Sequence, residues 1–155
     1  MATIFNEIAI NATTQQVWAV LSDLAVLEKY DPTVLRSELI STEISGIDAK
    51  RKVYMKDGKN WFEEKVTEWQ PNKALTIQLT NCTFPIDHLK HSYSFETSGN
   101  TTVVKQVMVY DVKFGALGKL MDALMVKKQT DKGIKLFMAG LKKFVEENNN
   151  RHGVQ

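Results

Sequence analysis

The chain of 155 residues holds a single cysteine, Cys82. An internal disulfide is therefore excluded, and the sequence points to a reducing, cytoplasmic setting. No apolar run approaches the ~20 residues that a membrane span needs. The opening residues Met1-Ala2-Thr3-Ile4-Phe5-Asn6-Glu7 lack the basic region and apolar core of a signal peptide. Charge of one sign is also missing. Twenty basic against 18 acidic residues leave a net charge of +2, too balanced to argue for a nucleic-acid partner. Glycine-rich phosphate loops and a Ser-His-Asp signature are absent. His88 and His91 are three apart, which on a strand places them on opposite faces, and no Cys pair or carboxylate cluster stands near them. Neither a metal nor another cofactor is expected.

What is present is a string of alternating segments between two helical regions. Thr3 to Ile10 reads as a strand. Thr13 or Thr14 caps a helix whose apolar side is Val17, Trp18, Val20 and Leu21, and a second short helix is expected from Asp23 to Tyr30. Asp31-Pro32 ends it, because the residue before proline avoids helical geometry. Strands follow over 34–42, 50–56, 59–69, 74–80, 88–97 and 101–113. Asp57-Gly58 and Ser98-Gly99-Asn100 are the hairpin turns. A long helix from about Leu117 to Glu147 closes the chain. Its apolar residues form two stripes, one of Leu117, Leu120, Met121, Leu124 and Met125, the other of Ile134, Phe137, Met138, Leu141 and Val145. The stripes differ in direction, so a kink is expected between Lys127 and Gly133. Gly133 and Gly140 cost ~1 kcal/mol each in a helix. Each buried apolar side chain returns ~1.5–3 kcal/mol, so packing wins. The two glycines are open to two readings, close backbone packing or space for a ligand.

Antiparallel strands with segregated helices indicate an α+β architecture. Only the C-terminal helix is large and apolar enough to cover the sheet. The expected fold is a helix-grip: a seven-stranded antiparallel sheet wrapped around a long C-terminal helix, with two short helices after strand 1. One domain is expected over residues 1–148, followed by a flexible tail over 149–155. The Trp18 helix, the Tyr30-Asp31-Pro32 stop, Val66-Thr67-Glu68-Trp69-Gln70-Pro71 and the Thr101-Thr102-Val103 strand start resemble the START-like (SRPBCC) superfamily. So does Gly115-Ala116-Leu117-Gly118-Lys119-Leu120-Met121-Asp122. The resemblance is to its polyketide cyclase/dehydrase-like and lipid-transport-like branch. It implies a cavity between sheet and long helix, with a mouth at Tyr30-Asp31-Pro32, Asp57-Gly58, the Asn81-to-Asp87 loop and Phe114-Gly115.

Hairpin register predicts which side chains face that cavity. A two-residue Gly99-Asn100 turn sets Phe95 opposite Val104, Tyr93 opposite Gln106, His91 opposite Met108 and Leu89 opposite Tyr110. Directly opposed residues share a face. The other face carries His88, Lys90, Ser92, Ser94 and Glu96, which suit water. Around Asp57-Gly58, Val53 meets Phe62 and Arg51 meets Glu64, although Tyr54 and Trp61 fit the water-facing side poorly. The ligand-binding set is thus Phe62, Glu64, His91, Tyr93, Gln106, Met108, Tyr110, Met121, Met125 and Phe137.

Each polar member has two readings. His91 is a general acid or base, or a core residue with its hydrogen bonds met. Glu64 binds a ligand hydroxyl, or pairs with Arg51. Tyr93 and Tyr110 donate to ligand oxygens, or line the core. The function expected is binding or transport of a small hydrophobic or aromatic molecule by a monomer or weak dimer. The alternatives are a cyclase/dehydratase enzyme and a partner-binding regulator using the Lys127, Lys128, Lys132, Lys135, Lys142 and Lys143 face of the last helix.

Overall fold

The computed structural model describes residues 1–121 and 125–152. In chain order they form β1 (Ala2–Ile10), α1 (Thr14–Leu21), β2 (Val34–Leu39), β3 (Lys50–Met55), β4 (Trp61–Gln70), β5 (Ala74–Cys82), β6 (Ile86–Ser98) and β7 (Thr101–Val112). Then come α2 (Gly115–Met121) and α3 (Lys127–His152). The seven strands make one antiparallel sheet in the order β1-β7-β6-β5-β4-β3-β2. This is the helix-grip arrangement.

Local chemistry explains the helix start. Thr13 and Gln16 form a reciprocal capping box, with the Gln16 amide N–H donating to Thr13 Oγ1 and the Thr13 N–H to Gln16 Oε1. The second short helix is present as a 3-10 helix, Leu27–Lys29, shorter than the expected Asp23 to Tyr30. Asp23 Oδ1 accepts the Ala25 N–H at 3.0 Å, a local bond that competes with helix at its intended start.

The β6–β7 ladder pairs Ser98 with Thr101, Tyr93 with Gln106 and His91 with Met108, the register that the turn residues predict. Val104, Gln106, Met108 and Tyr110 are all buried, so this face of the hairpin is the inner one. The β3–β4 hairpin pairs Arg51 with Glu64 and Val53 with Phe62. Tyr54 and Trp61, the pair that fits its pattern poorly, lie opposite each other on the outer face. Cations cover them: the Arg36 guanidinium sits 4.1 Å from the Tyr54 ring centroid and Lys52 Nζ 3.8 Å from that of Trp61. Aromatic rings at a wet surface are thus accounted for by cation–π contact.

The C-terminal segment differs from expectation in three ways. The described helix runs to Met121 and again from Lys127, with residues 122–124 outside the described residues, and α3 passes through the expected kink region and Gly133 uninterrupted. Of the first predicted stripe, Leu117, Leu120 and Met125 are exposed, whereas Leu124 and the Met121 side chain lie outside the described residues. The second stripe, Ile134, Phe137, Met138, Leu141 and Val145, is buried and covers the sheet. Finally, α3 runs past Asn148 to His152, and Asn149 Oδ1 accepts from Gln16 Nε2 at 2.6 Å.

The glycines of α3 are not equivalent. A Cβ built on Gly140 would overlap the Tyr30 carbonyl oxygen and stand 3.0 Å from its carbon. Here glycine lets the helix backbone lie directly on the Tyr30-Asp31-Pro32 corner. A Cβ on Gly133 would meet nothing within 4 Å.

Candidate functional site: a two-lobed cavity under the long helix

Strand alternation brings residues from β3 to β7 onto one face, and α3 roofs that face without filling it. Two adjoining lobes remain. The inner lobe, about 180 Å³, includes Arg51, Glu64, His91, Tyr93 and Gln106 on the sheet side, with Gly133, Ile134 and Phe137 above. The outer lobe, about 290 Å³, is lined largely by apolar groups, among them Met55, Leu79, Phe84, Pro85, Leu89 and Val126. Phe62, Glu64, His91, Met108 and Thr130 border both lobes and join them. A dry cavity of ~150 Å³ can hold a benzene ring, so each lobe is large enough for part of a small ligand.

Seven of the ten residues singled out from sequence converge here: Phe62, Glu64, His91, Tyr93, Gln106, Met108 and Phe137. Three do not. Tyr110 is fully buried but borders neither lobe, because it lies beyond Met108 toward the end of β7. Met125 is 58% exposed, whereas its neighbour Val126 packs on the core and lines the outer lobe. The side chain of Met121 lies outside the described residues. Of the expected mouth, Asp31, Phe84 and Pro85 line the cavity, whereas Asp57-Gly58 and Phe114-Gly115 do not. Thr130 was missed from sequence, and Gly133, open there to a reading as space for a ligand, was not placed in the binding set. They stand seven and four residues before Phe137, so continuing its stripe backward at helical spacing would have found them.

The polar groups at the inner end form a cluster. Glu64 Oε1 accepts from Arg51 Nε at 2.6 Å and from Arg51 Nη2 as well. Both residues are buried, at 6% and 3% exposure, so solvent screens this pair little. Arg51 Nη1 remains buried without a partner. Burial pulls the arginine toward neutrality, but the Glu64 carboxylate outweighs it and holds the guanidinium charged, above its ordinary range.

Gln106 Nε2 lies 2.8 Å from His91 Nδ1. With the amide donating, the neutral imidazole carries its proton on Nε2. Burial pushes His91 below its ordinary range; Arg51 adds to this and Glu64 partly opposes it. Gln106 Oε1 is buried without a partner, and so is the Tyr30 hydroxyl nearby. Burial, helped by Glu64, raises the Tyr93 phenol well above its ordinary range, and burial raises Tyr30 likewise. Arg51 and Glu64 thus offset each other's charge, His91 and Tyr93 are neutral at neutral pH, and Asp31 adds a further carboxyl group to the lining of the inner lobe. The His91 and Tyr93 rings are nearly parallel, 12° apart with centroids at 6.3 Å, and Tyr93 meets Phe137 at 6.1 Å.

Elsewhere the basic side of α3 is partly compensated, with Lys135 paired to Asp131, Lys142 to Glu146 and Lys143 to Glu147. Cys82 borders the outer lobe, and its thiol lies 3.5 Å from the Phe84 carbonyl. Among the described residues no group of His, Cys, Asp and Glu could hold a metal, and no helix is long and apolar enough to cross a membrane.

Comparison with solved structures gives close matches of fold at low identity. TTHA0849 from Thermus thermophilus is 20% identical with a TM-score of 0.78, covering 93% of this chain and 97% of that one. A START superfamily protein from Mycobacterium smegmatis is 14% identical with a TM-score of 0.76, covering 94% and 97%. The di-domain ARO/CYC BexL of the BE-7585A biosynthetic pathway is 15% identical with a TM-score of 0.76, covering 94% of this chain and 47% of BexL. Comparison with curated proteins gives no significant match. Residues 1–146 match the family described as polyketide cyclase/dehydrase and lipid transport, and the chain belongs to that family.

Proposed function

We propose that this protein binds a small, mostly apolar molecule in the two-lobed cavity, with an uncharged hydrogen-bonding group of the ligand at the inner end. The observation that carries the reading is that two residues lining the inner lobe each hold a buried polar atom without a partner, a donor at Arg51 Nη1 and an acceptor at Gln106 Oε1, which a ligand can reach by a small turn of either side chain. A buried polar group without a partner costs ~1–3 kcal/mol, and a ligand hydroxyl or carbonyl offers the missing bond. An anionic head is disfavoured because Glu64 already neutralises Arg51. The outer lobe suits the apolar remainder.

Native mass spectrometry of freshly purified protein, with extraction of whatever co-purifies, tests for a resident ligand. Binding of naphthalene, 1-naphthol and 1-naphthoate then tests the chemistry. A good hydrogen bond is worth ~1 kcal/mol or more, so 1-naphthol is expected to bind about tenfold tighter than naphthalene, with 1-naphthoate weakest. Failure to take up any of the three, with no co-purified molecule, refutes the reading.

One observation favours an enzymatic reading, a cyclase or dehydratase. His91 is held neutral, with Gln106 fixing the tautomer that presents Nε2–H as a proton donor. Turnover of a carbonyl substrate lost in His91→Ala, and retained in Leu89→Ala, would establish it over simple binding.

A further inference from the structure

Gly133 lies in the interior of the 26-residue α3 and lines the inner lobe. Glycine is the poorest helix former after proline, so its place there calls for a physical reason. Three ordinary reasons fail. Its backbone is not in the left-handed region, and it does not end the helix. Nor does any neighbour crowd it, because an added Cβ would meet nothing within 4 Å. Gly140, seven residues on, shows what a packing glycine looks like, with the Tyr30 carbonyl in the space of the missing Cβ. The stripe after Gly133 is filled: Ile134 and Phe137 are buried against the sheet.

What the absent side chain leaves is space. Phe137 touches Tyr93, and Gly133 stands one helical turn before it, on the side of the inner lobe shared with His91. The stacked His91 and Tyr93 rings line the same lobe from β6.

We propose that Gly133 is a specificity-determining residue: its missing side chain opens a slot, between the α3 backbone and the strand side chains of the inner lobe, that admits a ring of the ligand. The inference rests on the cavity being a ligand site and adds the shape that the site selects. A side chain at 133 fills the slot and excludes fused rings before it excludes a single one.

The test compares Gly133→Ala and Gly133→Leu with the unaltered chain, using 1-naphthol and phenol as probes by titration calorimetry, with thermal unfolding of each ligand-free protein. Expected are a melting temperature about 2–4 °C higher in Gly133→Ala and no loss of melting temperature in Gly133→Leu. Affinity for 1-naphthol should fall at least tenfold in Gly133→Leu, with a smaller loss for phenol. Unchanged 1-naphthol affinity in both variants overturns the slot while leaving the binding function standing. A Gly133→Leu protein melting several degrees lower also overturns it, since the space would then not be open. If the unaltered chain binds neither probe, the ligand-site reading fails and this inference falls with it.

Discussion

The same substitution at two glycines of one helix should change stability in opposite directions. Alanine gains ~1 kcal/mol over glycine in a helix interior, and that term is common to positions 133 and 140. At Gly133 nothing opposes it, because the new methyl meets no atom. At Gly140 the methyl would overlap the Tyr30 carbonyl oxygen and approach its carbon to 3.0 Å, with the Pro32 ring at 3.5 Å. Both close atoms are backbone, so no side-chain rotation relieves the overlap, and α3 must move away by roughly 1 Å or more. That movement loosens the contacts of Tyr30 with Phe137 and Phe144, now at 5.7 and 6.0 Å between centroids. Overpacking of this kind costs ~1–3 kcal/mol and occasionally more. Because the neighbour is rigid, the upper end applies. After the helix-propensity gain, Gly140→Ala should lose about 2 kcal/mol, or roughly 4–8 °C of melting temperature for a chain of this size. Urea unfolding followed by circular dichroism measures both variants against the parent. A Gly140→Ala protein as stable as the parent would refute the close-packing argument.

Two further perturbations address the polar cluster. Arg51→Met leaves the Glu64 carboxylate buried with no partner, which should destabilise the fold by ~3–5 kcal/mol; Arg51→Met with Glu64→Leu should recover most of the loss, and a double variant no better than the single would sink the claim that the pair is closed on itself. His91 has a folded-state pKa below its unfolded value near 6.5, so its contribution is fully present above pH 6.5 and is lost as pH falls through the folded-state pKa. Melting temperature should therefore drop more steeply below pH 6.5 in the parent than in His91→Gln, and parallel curves would show that His91 does not sense its burial.

How much of this was legible beforehand varies with the range of the interaction. The β6–β7 register follows from Gly99-Asn100 and from the contrast between His88, Lys90, Ser92 and Ser94 on one side and Leu89, His91 and Tyr93 on the other. A turn and a period of two are local properties, and they put Arg51 across from Glu64 as well. By the same logic Tyr54 and Trp61 had to share the outer face, but the Arg36 that covers Tyr54 comes from β2 and is out of reach of hairpin reasoning.

The sequence by itself thus determined the antiparallel sheet, the inward face of its two hairpins and the buried stripe from Ile134 to Val145, since each is written in spacing that neighbours along the chain enforce. Only the tertiary structure decided that Tyr110 and Met125 stand outside the cavity, and that Gly133 borders empty space whereas Gly140 bears on Tyr30. A cavity is the volume that packing elements fail to fill. It depends on how α3 sits over five strands at once, and two glycines with the same local propensity acquire different roles from what happens to stand across from them.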